Sequence, residues 1–174
     1  MLKLITKITA AIAVVSIALF GSANAKTLKI ETHFTASSPN GEVAAQFAKN
    51  VEKFSGGSLK VQMFYSSSVT GKSAEVFNSA QTGIIDCDMT GAGYQTGKNA
   101  AFQFAGDVMG GYDNPYQQYE FLNFPGAQEA VDALYNKYGM TLIGWWIPGH
   151  ESLISSKPIP DVASIKDFKF RSPP

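Results

Sequence analysis

The order of strand-like and helix-like segments between residues 28 and 90 constrains the fold of this chain more than any other feature. Residues 28–32, 59–63 and 84–90 alternate apolar and polar side chains, which is typical of strands. Two segments with helical spacing separate them, the second at residues 74–82. An order of strand, helix, strand, helix and strand predicts an α/β fold with a mainly parallel sheet and right-handed crossovers.

The first helix has clear boundary signals. Ser38 can cap its start, and Pro39 suits the first helical turn. Gly56 and Gly57 predict its end. We expect its core-facing side to carry Val43, Phe47, Val51 and Phe54, with Ala44 and Ala48 beside them.

The remaining segments are less regular. A glycine-rich loop is predicted at residues 91–111, and Asn114 and Pro115 predict the start of a helix that ends near residue 123. A further helix is expected from Ala127 to Tyr138, with Gly139 after it. Strands are predicted at residues 140–146, 152–155 and 169–172.

Residues 1–25 have the features of a secretory signal peptide. Lys3 and Lys7 precede an uncharged apolar run, and residues 23–25 form a small-residue cleavage pattern. We therefore expect a chain exported to the periplasm and not inserted in the membrane after cleavage. Without the signal, 12 basic residues face 14 acidic ones, a net charge of −2 that argues against a nucleic-acid partner.

Catalytic and metal-binding motifs are not evident. The glycine pattern of residues 91–97 departs from the dinucleotide fingerprint, so a mobile loop whose amides could line a ligand cleft is the better interpretation. His150 and Glu151 begin like a zinc-protease helix, but Ile154 replaces the second histidine. Asp86 and Asp88 are interpreted as solvated carboxylates, and Cys87 as a buried, inert thiol. We predict no catalytic residue and no metal ligand.

Four side chains fall near the predicted strand ends, where open α/β sheets bind ligands. They are Tyr94, Trp146, Glu151 and Arg171. Arg171 is the only arginine of the chain, and a guanidinium can contact a carboxylate through two hydrogen bonds. The alternatives are core packing for the aromatic residues and a surface ion pair for Arg171.

Three segments, residues 47–61, 75–86 and 169–173, resemble the solute-binding proteins of tripartite ATP-independent periplasmic (TRAP) transporters. Residues 101–104 and 139–149 are most similar to the branch that binds 2-oxo acids and related monocarboxylates. The resemblance implies a two-lobed periplasmic-binding-protein fold that closes around its ligand. Residues 26–150 would form the first α/β lobe, and residues 151–174 would be strands that cross toward a second, largely missing lobe.

The same resemblance implies the function of the site. Arg171 would bind the carboxylate of a small organic acid, while Tyr94 and Trp146 would shape the cleft. No cofactor is implied except a cation that can accompany the ligand, and Glu151 stands where the family pattern has a glutamine. The partners would be the membrane permease subunits of the transporter. Two alternatives remain open at this point, an exported enzyme acting on small acids or sugars and a sensor module that passes its ligand state to a signalling receptor.

Overall fold

The computed structural model describes residues 25–106, 108, 110–147 and 152–171. The predicted signal peptide lies outside these residues, apart from Ala25. Within the described residues, the helices and strands are β1 (Lys26–Thr32), α1 (Pro39–Phe54), β2 (Leu59–Phe64), α2 (Val76–Gln81), β3 (Cys87–Met89), α3 (Pro115–Asn123) and α4 (Ala127–Asn136).

The sheet is parallel, with the strand order β2-β1-β3. Its register pairs Lys26 with Leu59 on one side of β1 and Ile30 with Cys87 on the other. Strand β1 lies between β2 and β3, and it is buried at its carboxyl end, at Ile30, Glu31 and Thr32. The predicted α/β class with a mainly parallel sheet is confirmed.

Helix α1 begins as the sequence indicates but buries a different face. The Ser38 hydroxyl accepts a hydrogen bond from the Gly41 amide at 3.1 Å. The buried residues are Gly41, Ala44 and Ala48, whereas Val43 is 51% exposed and Phe54 is 79% exposed. The prediction of a core-facing side containing Val43 and Phe54 is therefore wrong, because a stripe of small residues lets the helix backbone come close to its neighbours.

Gly41 has a specific steric reason to be glycine. A Cβ atom at this position would collide with the carbonyl oxygen of Thr35, in the connection between β1 and α1. The first turn of α1 therefore lies directly against the chain that leaves β1. This contact fixes where the residues after β1 can go.

The glycine-rich segment contributes to the core. It contains two short 3₁₀ helices, Ala92–Gln95 and Ala100–Ala105. Phe102 is fully buried with Phe77, Ala92 and Leu134 in one hydrophobic cluster. The prediction of a loop is right in its irregularity, but the segment is also a packed part of the lobe.

The strands predicted after residue 139 are absent among the described residues. Helices α3 and α4 form at the predicted places, but residues 140–147, 152–155 and 169–171 have no strand hydrogen bonding. An apolar segment becomes a strand only where a neighbouring strand provides hydrogen-bond partners for its backbone. In the described sheet, β2 and β3 are the edge strands, and no further strand pairs with them. The one regular element in this part is a 3₁₀ turn at Val162–Ile165, capped by the Asp161 carboxylate.

Candidate functional site

The central strand creates a switch point in the sheet. The chain passes from β1 to β2 on one side and later returns to β3 on the other side. Ligands of open α/β sheets bind outside the carboxyl ends of strands at such a point. His33 and Phe34 directly follow β1, and Thr90 directly follows β3.

Four aromatic rings meet at this switch point and are called here the switch-point cluster: His33, Phe34, Tyr94 and Trp146. The centroids of His33 and Phe34 are 3.9 Å apart. Tyr94 lies 5.4 Å from His33 in an edge-on arrangement, and Trp146 lies 5.4 Å from Phe34. The structure thus brings two of the predicted site residues, Tyr94 and Trp146, to opposite ends of one cluster.

His33 and Phe34 were not predicted as site residues. The signal that could have found them is their position in the sequence. They directly follow β1, which is the central strand of the sheet. Burial lowers the pKa of the His33 imidazole, so the ring is neutral near pH 7. Its Nδ1 atom is buried without a hydrogen-bond partner among the described residues. His33 is therefore a polar side chain held within an otherwise apolar cluster.

Two acidic residues lie side by side in the neighbouring strands. The register of β1 and β3 pairs Glu31 with Asp88. Glu31 is fully buried, and its Oε1 atom accepts hydrogen bonds from the amides of Val69 at 2.6 Å and Thr70 at 3.4 Å. Burial raises the pKa of Asp88 to about 6; the neighbouring Thr90 opposes the rise, and the charge of Glu31 adds to it.

The interpretation of Asp86 and Asp88 as solvated carboxylates is right for only one of them. Asp86 is exposed and accepts a hydrogen bond from the Lys29 amide at 2.8 Å. Asp88 is partly buried because β3 lies beside the central strand. Between them, Cys87 is partly buried, and burial raises the pKa of its thiol, which agrees with an inert cysteine.

Tyr94 is held in place by its own short helix. It belongs to the 3₁₀ helix Ala92–Gln95, whose Ala92, Gly93 and Gln95 are buried. The Gln95 side chain donates a hydrogen bond to the carbonyl oxygen of Ala74 at 3.2 Å. These contacts fix the backbone around Tyr94, so its ring is presented to the switch point from a packed segment.

The other two predicted site residues are not brought into the cluster. Arg171 is exposed in an irregular segment, and its side chain forms no hydrogen bond or ion pair with another described residue. Glu151 lies outside the described residues, together with residues 148–150. The roles assigned to all four site residues therefore remain predictions.

Two kinds of feature are absent from the described part of the chain. No group of three or more His, Cys, Asp or Glu side chains is placed to hold a metal ion in that part of the chain. No described helix combines the length and apolar content that a membrane crossing requires.

A parallel sheet with a polar and aromatic site at its switch point is typical of proteins that bind small molecules. Residues 30–174 match the sequence model of the DctP family, described as bacterial extracellular solute-binding protein, family 7. The chain belongs to this family. The resemblance to TRAP solute-binding proteins is confirmed, while the narrower 2-oxo acid branch stays a prediction.

Solved structures with the same fold belong to this class. A TRAP periplasmic solute-binding protein from Rhodobacter sphaeroides, in an apo open structure, is 25% identical and superposes with a TM-score of 0.63 over 68% of this chain and 37% of its own. One from Pseudoalteromonas atlantica with bound sodium and pyruvate is 20% identical, with a TM-score of 0.61 over 67% of this chain and 35% of its own.

A third such protein comes from Bordetella bronchiseptica and holds copurified calcium and picolinate. It is 21% identical, with a TM-score of 0.59 over 66% of this chain and 34% of its own. In each case the chain spans little more than a third of the solved structure it matches. The shared fold therefore concerns one part of those proteins.

Proposed function

We propose that this chain is the ligand-binding part of an exported receptor that takes a small organic acid and delivers it to a TRAP-type membrane permease. The observation that carries the proposal is the family match over residues 30–174. The signal-like segment at residues 1–25 supports a periplasmic location. Binding and release, with no catalytic step, is the activity we assign.

The ligand class is argued from chemistry and from the relatives. Proteins of the same fold hold pyruvate and picolinate, which are small carboxylates. Arg171 is the one guanidinium of this chain and can form a two-point contact with such a group. We propose that Arg171 binds the carboxylate of the ligand and that Tyr94 and Trp146 line the cleft. A 2-oxo acid or a related monocarboxylate is the proposed ligand.

Arg171 is exposed in this structure, so binding a carboxylate away from water requires a second protein surface that covers the guanidinium. We propose that residues 26–150 form one lobe, and that residues 151–174 lead toward another lobe that closes over the ligand. A closed, water-poor cleft would strengthen the pairing of guanidinium and carboxylate. A cation could accompany the ligand, as it does in the proteins that hold sodium or calcium, and Glu151 is proposed as a further residue that contacts the organic acid.

The proposal is tested by calorimetric titration of the receptor with pyruvate, picolinate and other small carboxylates. Arg171→Lys keeps the positive charge but loses the planar fork. We expect it to weaken binding by about 1–3 kcal/mol, which is roughly 5- to 150-fold in Kd.

The control is Lys169→Arg, which alters a neighbouring cation and leaves Arg171 intact; its Kd should equal that of the parent. Unchanged affinity in Arg171→Lys would remove Arg171 from the site. Chemical conversion of any of these acids by the protein would contradict the receptor and favour an exported enzyme.

A further inference from the structure

Three buried oxygen atoms near the switch point have no hydrogen-bond partner among the described residues. They are Oε2 of Glu31, Oδ1 of Asp88 and Oγ1 of Thr90, and Thr90 lies close enough to the Asp88 carboxyl to lower its pKa against the effect of burial. Glu31 and Asp88 are register partners in neighbouring strands, so their side chains leave the sheet on the same face. Thr90 lies two residues beyond Asp88, just after the end of β3. The three atoms therefore belong to one small region of one sheet face.

Glu31 and Asp88 form no ion pair with any residue that the structure describes. The amides of Val69 and Thr70 donate to Oε1 of Glu31 and leave its Oε2 atom without a partner among the described residues. The one ion pair between described side chains joins Lys60 to Glu52 and does not involve Glu31 or Asp88. Two neighbouring buried carboxyl groups without a positive partner are costly, because each loses its hydration and repels the other.

We propose that Glu31, Asp88 and Thr90 form a binding site for a hard, oxygen-liganded cation such as Na⁺ or Ca²⁺. Carboxylate and hydroxyl oxygens are the donors that such cations prefer, and one cation would give all three unpartnered oxygens a ligand at once. Water or backbone carbonyl oxygens would complete the coordination shell. The site has only two acidic ligands. It is therefore compatible with the absence, among the described residues, of any metal-binding group of three or more His, Cys, Asp or Glu side chains.

Glu151 is not one of the proposed ligands of this cation site. The site uses residues at the ends of β1 and β3 and requires neither the organic acid nor Arg171. The inference therefore goes beyond the proposed receptor function. Burial raises the pKa of the Tyr135 phenol in α4 to about 12, and the charge of Asp88 adds to the rise.

The test measures the melting temperature of the protein after removal of metal ions, with no organic acid present. CaCl₂ or NaCl is titrated, and choline chloride at equal ionic strength controls for screening. We expect the melting temperature to rise with the logarithm of the Ca²⁺ or Na⁺ concentration, because a cation that binds the folded state stabilises it. No rise beyond that given by choline chloride would overturn the proposal.

Three variants make the test specific. Asp88→Asn keeps the shape of the side chain and removes one negative charge. In cation-free buffer its melting temperature should be higher than that of the parent, and it should no longer rise with the Ca²⁺ or Na⁺ concentration. Thr90→Val replaces only the hydroxyl and should raise the half-maximal cation concentration roughly tenfold. Glu120→Gln removes an exposed charge of α3 and should respond like the parent. An equal response in the parent, Asp88→Asn and Thr90→Val would overturn the proposal.

A proton is the competing occupant. If the parent is stabilised by lowering the pH but not by either cation, Glu31 and Asp88 share a proton and the cation proposal is wrong. The outcome is also distinguishable from that of the receptor test. Arg171→Lys should keep the full cation response, even if organic acids do not bind the protein at all.

Discussion

The chemistry of Asp88 follows from its place in the sheet. Asp86 and Asp88 belong to the same short segment, yet only Asp86 is exposed, with a backbone amide as its partner. Asp88 lies beside the buried Glu31 on the central strand, and burial raises its pKa to about 6. Sequence alone does not separate these two carboxylates, because the difference comes from the strand that packs beside them.

The raised pKa of Asp88 predicts a pH dependence of stability. A pKa raised above 3.8, the usual value for an aspartate, means that the folded state binds the proton more tightly than the unfolded state. This contribution is complete below about pH 4 and is lost as the pH rises through about 6. We expect the parent to lose about 2–3 kcal/mol of unfolding free energy relative to Asp88→Asn between pH 4 and 7.

Urea unfolding of both proteins in cation-free buffer measures this difference. Glu120→Gln serves as the control, because its exposed side chain should leave the stability difference from the parent nearly constant with pH. A pH-independent difference between the parent and Asp88→Asn would show that Asp88 titrates normally.

The candidate site was partly predictable from single residues. Tyr94 and Trp146 were selected because they follow predicted strands, and the structure places both in the switch-point cluster. His33 and Phe34 also follow a predicted strand, but they were missed because nothing in the sequence marks that strand as the central one of the sheet. Arg171 has no described contact with the cluster, so its role depends on parts of the receptor that these residues do not supply.

At the scale of elements, helices with local boundary signals were predicted well. Ser38 and Asn114 cap α1 and α3 through their side-chain oxygens, and both signals are visible in the sequence. The strand prediction for residues 140–146 failed, because a strand needs hydrogen bonds from a neighbour that the sequence does not specify. The glycine-rich segment was also underestimated, since its Phe102 anchors it in the core.

Two phenylalanines of this segment form a matched pair. Phe102 is fully buried, with ring centroids 5.2 Å from Tyr135 and 5.8 Å from Phe77. Phe104 is 66% exposed. We expect Phe102→Ala to destabilise the fold by about 3–5 kcal/mol, because it leaves a cavity. Phe104→Ala should stay within about 0.5 kcal/mol of the parent.

Chemical denaturation measures both variants under the same conditions. Equal and small effects would mean that residues 100–105 are not anchored in the core. A large effect of Phe104→Ala alone would reverse the assignment of the buried face of this 3₁₀ helix.

At the scale of the whole molecule, the proposed receptor depends on two lobes. The chain spans 37% of the Rhodobacter sphaeroides structure. We expect a longer version that adds a second lobe to bind a small carboxylate at least about tenfold more tightly than the 174-residue chain, because closure needs both walls. Calorimetry of the two proteins with the same acid measures the difference. Equal affinities would mean that the site is complete within residues 26–174.

The central position of β1 also has a consequence for how the lobe assembles. The first strand in the chain, β1, lies between β2 and β3 in the sheet. Both β2 and β3 follow β1 in the sequence. A polypeptide that emerges amino-terminus first can therefore add β2 to β1 and then β3 to the opposite edge. No strand has to be inserted between two that are already paired.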